Sequence, residues 1–179
     1  MYNYYDIRKS IGQNDLSQLE KIYEAQPSLF FEDYEEVFES ALHSMAAYGN
    51  PEMLDWLYSK VKFDIDLSDK GYLSPLGEAA GYGNIATVQW LLSHNAKVDG
   101  KDTDLLSPLM YAVKKGHTDI VKLLIEHNAN VNRMHRKLGT LPLDYAKPFK
   151  EIEQLLKSKG AKALSQLPDW VDNPIEGVG

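Results

Sequence analysis

The sequence predicts an all-α solenoid of stacked helix-turn-helix units with short hairpin connections. Three observations lead there. The 179-residue chain aligns with itself at an offset of 33, so that Pro75-Leu76, Ala79, Gly83 and Val88 meet Pro108-Leu109, Ala112, Gly116 and Val121, and self-similarity at such a period marks a repeat array. Ser-Pro-Leu opens both copies, at 74–76 and 107–109. Each copy closes on a large apolar pair and then Asn-Ala, as Leu91-Leu92 with Asn95-Ala96 and Leu124-Ile125 with Asn128-Ala129.

Five units follow from this frame, over about 2–34, 35–68, 69–101, 102–135 and 136–167, with a tail at 168–179. In the first, Asn14-Asp15-Leu16, Leu19 and Ile22-Tyr23 match only the second half of a unit. In the second, Ala41, Leu42, Ala46, Gly49, Leu54 and Leu57 fall on the frame at an offset of 34. The stretch FEDYEEVFESALHSMAAYG holds no Gly or Pro before Gly49, which predicts one longer helix from about Asp33 and no hairpin between the first two units. The third and fourth units are the clearest. Pro75 and Pro108 suit a first helical turn, where the missing N–H is unpaired in any case, and Ser74 and Ser107 before them are good N-caps. The first helix of the third unit runs through Ala79-Ala80 and stops at Gly83; the second, from about Asn84 to Ser93, buries Val88, Leu91 and Leu92. Asn95 and Asn128 suit the left-handed conformation that ends a helix. The fifth unit is a shortened copy, with Pro142-Leu143, Ala146, Ile152, Leu155-Leu156 and Gly160-Ala161; it lacks about three residues between Ala146 and Leu155, and Pro148 interrupts its helix. In the tail, two prolines and three acidic residues predict an extended segment, whose Trp170 either docks on the end repeat, the favoured reading, or is held for a partner.

The strings S-P-L-G-E-A-A-G-Y-G-N and S-P-L-M-Y-A-V-K-K-G-H resemble the ankyrin-repeat pattern T-P-L-H-x-A-A-x-x-G-H, and the helix that follows each ends in the manner of L-L-x-x-G-A. The resemblance covers most of the chain, with degenerate terminal units that serve as caps. It implies a protein-binding scaffold. The chain departs from the pattern where Gly77, Met110 and Asp144 replace the His that survives as His43, so the inter-repeat hydrogen bonding of that His is expected only in the second unit.

Composition excludes several classes of function. The formal charge is −7, with 13 acidic and 5 basic residues over 1–68 against 6 and 8 over 131–179. An acidic N-terminal third repels nucleic acid, whose binding rests on clustered Lys and Arg, and a basic partner suits it. No run of about 18 apolar residues is present to span a bilayer, and MYNYYDIRKS lacks the apolar core of a secretory signal. With no cysteine, disulfides and thiolate chemistry are excluded, and the expectation is a cytoplasmic protein.

No nucleophile elbow, phosphate loop, His-Glu-x-x-His helix or dinucleotide glycine fingerprint occurs, so neither an enzyme nor a cofactor is expected. The string DIDLSDKG over 64–71 mimics a calcium loop, but Asp69 stands where that loop needs Gly and Pro75 where it needs Glu. It reads instead as a hairpin. His94 and His127 occupy equivalent positions in the last turn of a helix, where partial positive charge suits the dipole. With His117 after Gly116, they are read as scaffold rather than metal ligands. Trp56 and Trp90 share a column and are read as packing between repeats.

The resemblance implies that binding falls on the concave surface, formed by hairpin tips and first-helix ends. The tips are Lys70, Gly71 and Leu73, then Thr103, Asp104 and Leu106, then Lys137, Leu138 and Thr140. The helix ends supply Ala47 and Tyr48, Gly81 and Tyr82, and Lys114 and Lys115. Tyr72 and Leu105 stand where the pattern has Gly, and apolar groups at exposed turns suit a partner surface. The candidate partner-binding residues are therefore Tyr48, Lys70, Tyr72, Leu73, Tyr82, Thr103, Asp104, Leu105, Leu106, Lys114, Lys115 and Lys137. A small repeat array with no second domain suits a stoichiometric inhibitor, for example an immunity protein neutralising a basic toxin such as a nuclease. The alternative is an adaptor or a secreted effector that engages host proteins; an enzyme is the remote third reading.

Overall fold

The computed structural model describes residues 2–30, 40–68 and 73–167. Ten α-helices and no strand occur among them, in five consecutive pairs: α1 (Tyr4–Gly12) and α2 (Leu16–Ala25), α3 (Ala41–Tyr48) and α4 (Pro51–Lys60), α5 (Pro75–Tyr82) and α6 (Ile85–Ser93), α7 (Pro108–Lys115) and α8 (Thr118–Glu126), α9 (Pro142–Tyr145) and α10 (Lys150–Ser158). A 3₁₀ turn at Pro27–Phe30 follows α2, and another at Leu164–Gln166 follows α10. None of these helices is long and apolar enough to cross a membrane.

The helix starts follow local chemistry. Ser74 and Ser107 are extended, and their hydroxyls accept from the backbone N–H of Gly77 and Met110 at 3.2 and 3.3 Å. Second helices begin the same way, at Asp15, Asn50 and Asn84, whose side chains accept from Gln18, Met53 and Thr87. Gly83 and Gly116 stop α5 and α7 at φ 81° and 79°, and Asn95 and Asn128 follow α6 and α8 at φ 65° and 66°. These are the left-handed positions expected of them.

One expected helix is shorter than predicted. Ser40 is extended, at φ −94° and ψ 168°, so α3 begins at Ala41 rather than running on from about Asp33. There the Ser40 hydroxyl lies 2.8 Å from Nδ1 of His43, and the pair occupies the frame positions of Ser74 and Gly77. The hairpin expected to be absent between the first two units, and the extended tail with Trp170, lie outside the described residues. In the last unit Pro148 separates α9 from α10; Pro142 follows Pro108 by 34 residues and Leu156 follows Leu124 by 32, so this unit is two residues shorter over that span, and the loss falls on its first helix, the four-residue α9.

First helices stack on first helices, α1 on α3, α3 on α5, α5 on α7 and α7 on α9, while second helices form the outer row. Small residues make this possible: Ala46, Ala79, Ala112 and Ala146 are fully buried, so backbones approach closely. Against them sit Leu54 and Leu57, Val88 and Leu91, Val121 and Leu124, and Ile152 and Leu156, all likewise buried. Leu92, expected in this core, is half-buried, because adjacent helical residues point about 100° apart.

Polar side chains fix the register from one unit to the next. Asp66, Asp99 and Asn132, spaced by 33, accept from the backbone N–H of Lys97, Asn130 and Lys162 at 2.9, 2.9 and 2.8 Å. Asn84 donates to the carbonyls of Ala46 and Gly49, His117 Nε2 donates to that of Gly81, and His43 Nε2 to that of Leu73 at 3.0 Å. Trp90 donates to Asp55 at 2.7 Å, and Trp56 packs edge-on against Tyr23 and Phe30. Both tryptophans are therefore inter-unit contacts.

Candidate functional site

The first-helix face, as far as the described residues go, is built from the C-terminal ends of α3, α5 and α7, Leu73 before α5, and the loops that precede α7 and α9. Tyr48 and Tyr82 end α3 and α5, at 40% and 55% exposure. Their rings meet edge to face, 4.7 Å between centroids at 64°, and the Arg8 guanidinium lies 5.2 Å from the Tyr48 ring while donating to its hydroxyl at 3.2 Å. Such pairs hold large side chains at the surface in one orientation.

Beside Tyr82 a cleft of about 400 Å³ opens between α5 and α7, lined by Leu73, Gly77, Glu78, Gly81, Tyr82, Tyr111 and Lys115. Its floor is a consequence of composition. Gly77 and Gly81 lie one helical turn apart with no side chain, and Tyr111 of α7 fills part of the space, its ring 3.5 and 3.6 Å from where their Cβ atoms would stand. A second cleft, about 380 Å³, is lined by Thr103, Leu105, Arg136 and Lys137. Lys114 reaches to 6.0 Å from the Tyr145 ring.

Of the predicted site residues, Leu73, Tyr82 and Lys115 line the first cleft, with Tyr48 against the Tyr82 ring, and Thr103, Leu105 and Lys137 line the second. Two others are not at the surface. Asp104 is 1% exposed: its carboxylate accepts from the Lys101 N–H at 2.8 Å and from the Ser68 hydroxyl at 2.7 Å, closing its own hairpin and tying it to the preceding unit. Leu106 folds under the loop, at 9% exposure, since an apolar side chain next to Ser107 reaches the core more readily than water. Lys70, Gly71 and Tyr72 lie outside the described residues. Sequence reasoning missed Tyr111, Glu78 and Arg136, all of which line the clefts; Tyr111 and Glu78 share one frame position, 33 apart, and that was the available signal.

His135, at 8% exposure, sits behind the second loop. Its Nδ1 accepts from the N–H groups of Lys137 and Leu138 at 3.1 and 3.2 Å. Burial pushes its pKa below the ordinary histidine value, and the charges of Lys114 and Lys137 push it the same way.

Metal-like features resolve into scaffold bonds. Asp64 pairs with Lys101 at 2.8 Å, which holds its carboxyl below the ordinary aspartate value, and Asp66 is engaged with Lys97 as above. His94 and His127 donate from Nδ1 to the carbonyls of Trp90 and Leu123 at 2.8 and 2.9 Å. Among the described residues no three His, Asp or Glu side chains converge to hold a metal ion. Asp69 lies outside the described residues.

In comparison with known proteins, a family model described as ankyrin repeats (3 copies) matches residues 42–135 and 100–166. No curated relative matches the chain.

Proposed function

The chain belongs to the ankyrin-repeat family, whose stacks are protein–protein interaction modules, and we propose that it acts as a stoichiometric binder that masks or inhibits one partner protein through the first-helix face. The observation that carries this reading is the Tyr48–Tyr82 pair beside the α5–α7 cleft. Two exposed tyrosines, held edge to face and followed by an apolar-floored cleft, are what an interface uses as anchors. The face is also pre-organised: its helices are tied to one another by His43, His117 and Asn84, so binding orders little that is not already ordered.

The test begins with the intact protein as bait in a native extract, with retained proteins identified by mass spectrometry and the candidate partner then purified. Calorimetry should give one partner per chain, and where the partner is an enzyme its activity should fall linearly up to that ratio. Tyr82→Ala and Tyr111→Ala should weaken the purified complex about tenfold or more each while Thr103→Ala changes little, as interface energy concentrates in few residues. Full affinity in both tyrosine variants would remove the first-helix face from the mechanism.

A further inference from the structure

We propose that the C-terminal part of the first-helix face docks an acidic segment of the partner protein, its carboxylates on Lys114, Lys115, Arg136 and Lys137 and an aromatic or aliphatic side chain in the α5–α7 cleft. This rests on the binding role above and adds the chemistry of what is bound. It also departs from the basic partner that the net charge of the chain suggests.

The charge of the molecule is not the charge of this face. Residues 101–167 carry 12 Lys and Arg against 7 Asp and Glu. Those seven acids are mostly turned elsewhere. Asp104 is buried, Asp144 accepts from the N–H groups of Leu141 and Leu164, Glu151 and Glu153 pair with Lys122 and Lys157, and Asp102 lies 3.9 Å from Arg133. Asp119 and Glu126 belong to α8, in the outer row. Lys114 and Lys115 end α7, Arg136 and Lys137 stand on the next loop, all four are exposed, and none takes part in an ion pair among the described residues.

The four fall on the rims of the two clefts. Lys115 lines the first, beside its chain neighbour Lys114 at the end of α7, and Arg136 and Lys137 line the second. Like charges gathered on one face repel, and an opposite charge laid across them relieves that repulsion. Glu78 is the one carboxylate lining the clefts among the described residues. Nucleic acid fits less well than protein: four cations interleaved with Leu73, Leu105, Tyr82 and Tyr111 make few phosphate contacts, and the net charge of −7 opposes a polyanion as a whole. An acidic peptide with one apolar anchor matches both halves of the surface.

The experiment pans a random displayed peptide library against the intact protein, and in parallel against Lys114→Glu/Lys137→Glu, Tyr82→Ala and Tyr111→Ala, each first shown to be folded by a cooperative melting transition well above the panning temperature. The expected result is enrichment of peptides rich in Asp and Glu around an aromatic or aliphatic residue, retained about tenfold less by the double charge reversal and weakened by added salt. Enrichment of Lys- and Arg-rich or uncharged peptides that still need Tyr82 or Tyr111 would overturn the acidic partner and leave the binding face intact. Peptides indifferent to every variant, or none enriched at all, would overturn both. A single-stranded oligodeoxynucleotide held on the same lysines more tightly than any enriched peptide would replace protein by nucleic acid and overturn the proposal.

Discussion

Tyr48 and Tyr82 end consecutive first helices and touch edge to face across the gap between them, 4.7 Å between ring centroids. The contact joins two units, yet both rings keep a large exposed area, so fold and binding draw on the same pair unequally. An exposed aromatic pair adds about 0.5–1.5 kcal/mol to stability beyond its buried area, whereas an aromatic anchor at an interface can carry 2 kcal/mol or more, roughly.

Tyr82→Ala should therefore lower the melting temperature slightly and raise the dissociation rate from the purified partner sharply. Tyr48→Ala should also cost stability, because it removes the hydrogen bond and the cation–π contact with Arg8. Melting and dissociation measured on the same two variants give the answer. Losses of affinity that merely track losses of stability would place both rings in the scaffold.

Core packing gives a sharper contrast between neighbours. Leu91 is fully buried and Leu92 only half-buried in α6. Leu91→Ala should cost about 2–5 kcal/mol as a cavity-forming truncation. Leu92→Ala should cost about half as much or less, since part of its side chain already meets water. Urea titration of both, with equal dependence on denaturant, checks the ordering; equal losses would mean that α6 is turned differently on the stack.

Much of this architecture was legible because it is local. Ser74-Pro75, Ser107-Pro108, Gly83 and Asn95 act through their own backbone, and each ends or begins a helix where its chemistry says it should. The start of α3 was harder. Ser40 has no proline after it, and only its place in the frame, 34 residues before Ser74, marks it as a cap. The site was legible in outline and misjudged in detail for a different reason. Asp104 is drawn inward by Ser68, 36 residues away, and Leu106 by the core beneath its loop. Tyr111 becomes a cleft wall because Gly77 and Gly81 on another helix leave room for its ring. Those are tertiary facts, which no window of sequence contains.

Gly83 offers a test of two constraints at one atom. Its φ of 81° disfavours a side chain, and an added Cβ would stand 2.7 Å from Cε1 of His117, the ring that bonds to the Gly81 carbonyl. Gly83→Ala should cost about 1–3 kcal/mol, part from the backbone and part from the ring. In a double-mutant cycle with His117→Ala, the steric part should vanish and the backbone part remain, giving a coupling of about 0.5 kcal/mol or more. Strict additivity would show that His117 moves aside freely and that the cost of Gly83→Ala lies in the backbone alone.

Acid should act on the loop behind the second cleft before it acts on the carboxylates. His135 offers Nδ1 as an acceptor to two backbone N–H groups, which requires that nitrogen unprotonated, and burial with Lys114 and Lys137 lowers its pKa from the ordinary 6.5. When the folded pKa lies below the unfolded one, the unfolded chain takes the proton first. Stability is then fully present above about 6.5, declines as the pH falls through that value, and levels off below the lowered folded pKa. Asp64, whose pKa is lowered from 3.8 by Lys101, contributes in the same direction but in a separate, more acidic window. His135→Asn keeps an acceptor where Nδ1 stood and removes the titration. Its stability should vary less than that of the wild-type protein between pH 7 and 5, roughly, while the decline near pH 4 and below stays in both. Lys114→Gln should reduce the wild-type decline, because one of the charges opposing protonation is gone. Denaturant midpoints at half-unit pH steps measure all three, and parallel curves for His135→Asn and wild type would remove His135 as the origin of the decline.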